Sequence, residues 1–365
     1  MEAKKTLREG YTTGACATAA TKAALTALIT GIRQMEATIY LPVGRWVTFA
    51  IEACEISEES ASATVIKDGG DDPDATHGAA IVSTVSWAEQ PGVHLDGGKG
   101  VGRVTKPGLP VPVGEAAINP VPRKMIRETA SEVLEQYGVS RGVNVIISVP
   151  DGEEIAKKTL NARLGIIGGI SILGTRGIVV PFSTSAYRAS IVQAIQVAKA
   201  NGCDHVVVTT GGRSEKFAMQ QYSHLPEEAF IEMGDFVGFT LKQCKRLGIK
   251  TVSMVGMMGK FSKVAQGVMM VHSKGAPVDF SFLAAIAEQA GASPELVAAV
   301  RDANTASQVG EMMLKAENRR FFEILCDCCC LSALREVGGG ITVETSLYTM
   351  SGQLLGKAVR NDAGD

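Results

Sequence analysis

DHVVVTTGGRSEKFAMQQY, Asp204–Tyr222, runs from apolar residues through a double glycine into a stretch of helical composition. Val206, Val207 and Val208 show no polar alternation, so both faces of this run have to be covered, as in a parallel sheet flanked by helices. Gly211 and Gly212 permit the tight turn that brings the chain back along the sheet. The order recurs on either side. GGISILGTRGIVV precedes STSAYRASIVQAIQVAKANG, where Tyr187, Ile191, Ile195 and Ala198 keep helical spacing, and GDFVGFTLKQCKRLG precedes the apolar IKTVSMVGMMG. Strands alternating with helices predict a doubly wound α/β unit with a parallel sheet over residues 151 to about 280. Four helical stretches follow, the last being NRRFFEILCDCCCLSALREVG, and then a hairpin around SGQ. Together they complete a second domain, residues 151–365.

Toward the N-terminus the pattern changes. Thr12 or Thr13 caps a helix of small residues from about Gly14 to Thr30, stopped by Gly31. ATIYLP, RWVTFAIEACEI, SATVIKD and GAAIVSTVSWAE alternate apolar with polar, as antiparallel strands with one wet face do. A helix over about Arg123–Tyr137 and the apolar strand GVNVIISVP come next. Residues 1–150 therefore read as an α+β domain on a largely antiparallel sheet, and a chain of 365 residues is long enough for two cores.

A formal net charge of −2 gives no global attraction to nucleic acid or anionic lipid, and no basic run stands out. The N-terminal MEAKKTLREGYTTG lacks an apolar leader, and no apolar stretch approaches the roughly 18 residues that span a bilayer, so a cytoplasmic protein without membrane or nucleic-acid partners is expected. Of eight cysteines, Cys326, Cys328, Cys329 and Cys330 cluster in CDCCC. Zinc sites usually join two separate knuckles, whereas adjacent positions of one helix point in different directions, so packing is preferred to metal binding.

Glycine turns at the carboxyl ends of strands are where α/β sheets take anionic ligands. GTRG (Gly174, Thr175, Arg176, Gly177) and TTGG (Thr209, Thr210, Gly211, Gly212, then Arg213) both follow apolar strands and are read as turns of one sheet around one ligand. MVGMMGKFS fails the phosphate-loop pattern twice, since Met254 stands for the first glycine and Phe261 parts Lys260 from Ser262. GGKGVG at 97–102 lacks the register of a dinucleotide fingerprint and reads as a flexible loop bearing Lys99, Arg103 and Lys106. In KDGGDDPDATHG, Asp68, Asp71, Asp72 and Asp74 do not fit a calcium loop, and Pro73 forces a turn. By pattern alone this is a solvated turn.

Taken together, GYTTGACATAATKAA, KDGGDDPDATHG, GGKGVGRVTKPGLPVPVGEAAINPVPRKMI, SVPDGEEIAKKTLNARLGIIGGISILGTRGIV and VVVTTGGRSEKFA, with GDFVGF and GGGITVETSLY, resemble the CbiD family of cobalt-precorrin-5B C1-methyltransferases. The resemblance covers about residues 10 to 350. It implies transfer of a methyl group from S-adenosyl-L-methionine to carbon 1 of a cobalt corrinoid precursor, giving cobalt-precorrin-6A in anaerobic cobalamin biosynthesis. It also implies a first domain similar to the second domain of ribosomal protein S5 and a Rossmann-like second domain.

On that resemblance the cobalt travels inside the substrate and the protein binds no metal. Thr12, Thr13, Lys99, Arg103, Lys106 and Arg123 become candidates for the carboxylate arms of the corrinoid. Asp71, Asp72 or Asp74 would orient the corrinoid or accept a proton. Gly174–Gly177 and Thr209–Arg213 would hold S-adenosylmethionine, with Arg213 on its carboxylate. Asp235 would meet a ribose hydroxyl or favour the sulfonium, or else cap the helix GDFVGFTL. Arg176 departs from GTTG, the commoner family form. Implied partners are the corrinoid and, beyond it, other pathway enzymes or a second copy of the chain. Two other readings stay open: a nucleotide- or NAD-dependent α/β enzyme, and a corrinoid-binding protein without catalysis.

Overall fold

The computed structural model describes residues 7–272 and 275–361. Residues 1–6, the start of the segment read as leaderless, lie outside them. The chain divides into two compact units, Met1–Thr184 and Ser185–Asp365.

In the first unit, β1 (Gly10–Tyr11) leads into α1 (Thr13–Thr30). Thr12 caps this helix through its side chain, and Gly31 ends it in a left-handed conformation, φ 72°. Alanine, glycine and threonine make α1 thin enough to be buried on nearly every side. Its polar members are satisfied locally: Thr18 Oγ1 donates to Gly14 O, and Thr21 Oγ1 to Ala17 O, both at 2.8 Å. The strands are β2 (Glu36–Leu41) and β3 (Arg45–Ala50), a hairpin of their own, then β4 (Ala53–Ile56), β5 (Ser60–Ile66), β6 (Ala80–Ala88) and β7 (Val93–Gly97). After β8 (Gly100–Val101), β9 (Arg103–Val104) and α2 (Pro120–Gln136) comes β10 (Gly142–Ser148). The main sheet has the order β4-β5-β6-β10-β7, antiparallel except for β10 beside β7. Its period-two pattern turns Ala61, Ala63, Val65, Ile81 and Val85 into the core with α1 and α2.

The unit does not end near residue 150. After α3 (Gly152–Ala156), the short strands β11 (Ile166–Ile167), β12 (Gly169–Ile170) and β13 (Ile178–Val179) pair with β9, β8 and β1 respectively. The segment read as the first strand of the α/β domain thus closes the first unit instead. Nor is GGKGVG a flexible loop. Gly100, at φ 74°, is wedged so tightly that a Cβ there would lie 1.8 Å from Val149 O, and one on Gly169 would lie 2.1 Å from Gly100 O. Backbone packs directly on backbone, which only glycine allows.

The second unit contains α4 (Thr184–Ala200, bar its first residue), β14 (His205–Thr209), α5 (Gly212–Gln221), β15 (Phe230–Glu232), α6 (Val237–Arg246), β16 (Thr251–Met257) and α7 (Met258–Ala265). It continues with α8 (Phe280–Gln289), α9 (Pro294–Arg301), α10 (Ala306–Lys315), α11 (Arg319–Val337) and the hairpin β17 (Thr342–Tyr348) and β18 (Leu354–Arg360). The sheet order is β15-β14-β16-β17-β18, with the first four strands parallel and β18 antiparallel. Chain order reverses at β14: one neighbour follows it directly and the other only after a crossover. The ends of β14 and β16 therefore form a topological switch point. Cys326, Cys329 and Cys330 are buried in the core beneath α11. Cys329 Sγ donates to Phe261 O at 3.3 Å, and Cys330 Sγ lies 3.2 Å from Thr345 Oγ1. Among the described residues no three His, Cys, Asp or Glu side chains are grouped to hold a metal ion.

Candidate active site

The aspartate turn of the first unit is a built loop. Lys67 follows the apolar face of β5 and is 1% exposed. Its ammonium is 2.5 Å from Asp74 Oδ2, while Asp74 Oδ1 accepts from Thr76 N and Thr76 Oγ1 at 2.7 and 2.6 Å. Burial works against the charged carboxyl, but the hydrogen bonds from Lys67 and Thr76 outweigh it, and the Asp74 pKa lies below its ordinary value. Asp74 is thus the counter-ion of a buried lysine. Asp68 is paired with the Arg8 guanidinium, which with the Gly70 N–H lowers its pKa to about 2. Asp71 Oδ2 accepts from Arg8 N at 2.7 Å, and Asp72 Oδ1 from Phe182 N at 2.8 Å. Each of these two keeps a second oxygen beyond its backbone bond.

Several expected ligands are internal struts. Thr12 and Thr13 are 5% and 2% exposed. Thr12 Oγ1 accepts from Ala15 N, while Thr13 Oγ1 accepts from Leu173 N at 2.9 Å and faces the carbonyls of Ser171 and Leu173. GTRG lies in the first unit and is no turn of the doubly wound sheet. Gly174 (φ 129°) is pressed against Thr12, where a Cβ would come within 2.4 Å, and the carbonyls of Arg176 and Gly177 accept from Val43 N and Thr12 N. Thr175, between them, belongs to the same connection. Thr12, Thr13 and Gly174 thus close the first unit's core, and their chemistry is spent there.

Of the four basic candidates, Arg103 is held by Asp96 (2.8 Å) and Arg123 by Glu115 (3.0 Å). The stem of Lys106 lies against Gly165. Lys99 is exposed and has no carboxylate partner among the described residues.

At the switch point of the second unit lies a cavity of about 570 Å³. TTGG forms one wall. Thr209 is buried at the end of β14; Thr210 N donates to Ser214 Oγ, which donates to Gly211 O at 2.8 Å. Gly211 adopts φ 155°, ψ 169°, a conformation nearly exclusive to glycine. Gly212 opens α5, and a Cβ there would meet nothing within 4 Å. The helix thus presents its first-turn amides to open space. Arg213 is exposed, its Nη1 3.5 Å from Met350 Sδ.

The opposite wall follows β16. It carries Met257, Gly259, Lys260 and Lys263, with Val271, Ser307 and Met350 completing the lining. Lys260 Nζ is 2.9 Å from Asp235 Oδ1 and 3.3 Å from Thr210 O. Asp235 therefore pairs with a lysine and does not cap α6, whose N-cap is Phe236.

The chain also places Glu232, passed over in the sequence, at the end of β15 in register with Thr209. Its Oε1 is 3.9 Å from where a Gly211 Cβ would sit. The signal was present as an acid twenty residues beyond the glycine turn, the spacing at which dinucleotide-binding folds take a ribose hydroxyl. Tyr187 sits against the Gly234 turn. Burial, with the charges of Glu232, Asp235 and Glu215, pushes its hydroxyl up to about 12, so it stays protonated beside a locally negative field. Lys260 was set aside with the failed phosphate-loop pattern and Lys263, one residue past that stretch, was passed over, although the strand-to-helix position that brings them here is the one that pattern describes.

A mostly parallel sheet with a glycine-walled cavity at its switch point, an acid on the neighbouring strand and lysines opposite defines an α/β protein with a cavity where such sheets commonly take small ligands. Residues 1–181 match the CbiD family model and residues 270–359 the model described as CbiD, C-terminal domain. A curated protein of Geobacillus sp. (strain WCH70) is 92% identical over the full length of both chains, and one of Salinispora tropica is 49% identical over 95% of this chain and 91% of its own. Both are named cobalt-precorrin-5B C(1)-methyltransferase. A crystal structure of the cobalamin biosynthesis protein CbiD of Archaeoglobus fulgidus is 32% identical, covering 69% of this chain and 78% of that one, with a TM-score of 0.38. The chain belongs to the CbiD family.

Proposed function

We propose that the protein is a methyltransferase that moves a methyl group from S-adenosyl-L-methionine to C1 of cobalt-precorrin-5B, a step of cobalamin biosynthesis. Identity of 92% and 79%, over the whole of this chain, with curated relatives of that name carries this reading. The α+β first unit corresponds to the S5-like fold and the second to a Rossmann-like fold, and the switch-point cavity is the S-adenosylmethionine site.

Three features of the cavity fit this cosubstrate: open space at Gly212, an acid at Glu232 and lysines on the far wall. Bound there, S-adenosylmethionine supplies an electrophilic methyl group on a sulfonium. Glu232 accepts from the ribose hydroxyls, and Glu215, Glu232 and Asp235 together favour the sulfonium charge. Thr210, Gly211 and Gly212 shape the wall that excludes water, and Arg213 stands at the rim. Methyl transfer is an in-line displacement, so the protein's task is to fix two reactants in one line, and no strong base is needed for the carbon–sulfur bond to break.

For the corrinoid, which brings its own cobalt, Lys99 is an exposed cation for a carboxylate arm, and Asp71 and Asp72 retain an oxygen each for a polar contact. Titration of the full chain with S-adenosylhomocysteine, NAD and ATP tests the reading. Saturable binding of S-adenosylhomocysteine alone, abolished in Gly212→Val, is expected. Binding of NAD in its place would reinstate the dehydrogenase-type alternative.

A further inference from the structure

Lys263 is 6% exposed and lines the switch-point cavity. It stands on α7, one helical turn beyond Lys260. The two lysines differ in what compensates them. Lys260 has the Asp235 carboxylate at 2.9 Å. The contact of Lys263 Nζ is a backbone carbonyl, His272 O, at 3.4 Å, and among the described residues it meets no carboxylate within 4.0 Å. A largely buried ammonium without an anion is costly to keep, and a ligand that brings an anion into the cavity removes that cost. In the last turn of α7 the helix dipole favours a cation at this position, but that is a partial charge, and no carboxylate side chain completes it, while α7 buries Phe261, Val264 and Ala265 on its own account.

Gly212, Arg213 and Ser214, the first turn of α5, line the same cavity, and the N-terminus of that helix adds partial positive charge. The acids, by contrast, gather at the β15 side, where Glu232 ends its strand. The cavity is therefore polarised, with an acid beside the glycine turn and an uncompensated cation on the wall that follows β16.

Resting on the cosubstrate site proposed above, we infer that Lys263 is the residue that receives the carboxylate of the methionine arm of S-adenosylmethionine, in the place first given to Arg213. The polarity then orients the ligand, ribose toward Glu232 and carboxylate toward Lys263. It also sets specificity, because a ligand without that carboxylate leaves the buried charge unanswered. A carboxylate arm of the corrinoid has the same chemistry, and the test separates the two.

The full chain and its Lys263→Met and Lys263→Arg variants are titrated with S-adenosylhomocysteine and with 5′-methylthioadenosine, which keeps the adenosine and the sulfur but lacks the amino-acid arm. Lys263→Met is expected to weaken S-adenosylhomocysteine by about 30-fold or more, as loss of one partner of a buried charge pair does. It should leave 5′-methylthioadenosine within about twofold, and Lys263→Arg should restore much of the difference. Ligand-free Lys263→Met should also melt about 2–4 °C higher, because an uncompensated buried charge is gone.

Equal weakening of both ligands would overturn the inference in favour of a merely structural lysine, and so would no change in either. Unchanged S-adenosylhomocysteine with weakened binding of cobyrinic acid, a corrinoid with free carboxylate arms, would overturn it in favour of the substrate. Failure of the site itself reads differently: Gly212→Val would then bind S-adenosylhomocysteine as the unaltered chain does, and both readings fall.

Discussion

A methyl group added to Gly100 in the first unit would lie 1.8 Å from a carbonyl oxygen, whereas one added to Gly212 in the second would touch nothing within 4 Å. Both glycines sit in short glycine-rich stretches of similar appearance, GGKGVG and TTGGR. In the first, glycine removes side chains so that β8 can lie against the backbone at Val149, Gly152 and Gly169. In the second, it removes side chains so that a cavity can exist and α5 can present its amides to it. The one stretch trades side chains for packing, the other for vacancy.

Mutation should therefore separate them cleanly, by stability in one case and by binding in the other. The largest effect is expected at Gly100→Ala, where a left-handed backbone and a backbone clash combine. A loss of about 4 kcal/mol or more in urea denaturation, or failure to fold, is expected, and near-normal stability would break the comparison.

Asp74→Asn should cost about 3 kcal/mol, since it leaves Lys67 buried without its counter-ion. This effect carries a pH signature. The Asp74 pKa is lowered on folding, so its contribution is complete above its unfolded value near 3.8 and fades as the pH falls through the lower folded value. Acid denaturation of Asp74→Asn should lack that component.

Gly212→Val should abolish S-adenosylhomocysteine binding in calorimetry, a change of about 2 kcal/mol or more, while its own melting stays within about 0.5 kcal/mol of the unaltered chain. Glu232→Gln should weaken that ligand by about 1.5 kcal/mol, with less loss for its 2′-deoxy analogue, which has one hydroxyl fewer to offer. Smallest of all, Cys328→Ser, at a half-buried position, should change stability by no more than about 0.5 kcal/mol, and a chelator should leave the melting curve in place.

Local patterns carried much of the fold into the sequence. Period-two alternation in SATVIKD and GAAIVSTVSWAE marked the antiparallel strands β5 and β6, and the unbroken valines of β14 marked a covered parallel strand. The division at 184/185 was hidden because β11, β12 and β13 are each two residues long, and such strands leave no periodicity to read. The site was half legible. TTGG announced a turn, but its partners across the switch point depend on which strand lies beside β14, a non-local fact. Hence GTRG, similar in letters, was paired with it, while Lys260 was rejected with the phosphate-loop pattern and Glu232 and Lys263 went unnoticed. Thr12 was read correctly as a helix cap, but its other reading, like that of Thr13, as a substrate ligand shows why the site was harder: a threonine at a helix start looks the same whether its hydroxyl faces a ligand or a neighbouring backbone group.

The buried thiols have a practical consequence. Desolvation pushes Cys16 in the first unit and Cys244 in the second up to about 12, and Cys329 well above the ordinary thiol range, so almost no thiolate exists at neutral pH and alkylating reagents find little to attack. Each becomes reactive only when the structure around it opens. Pulse alkylation followed by mass spectrometry would then time the opening of each unit separately, with the chain's own sulfurs as the clock and no residue substituted.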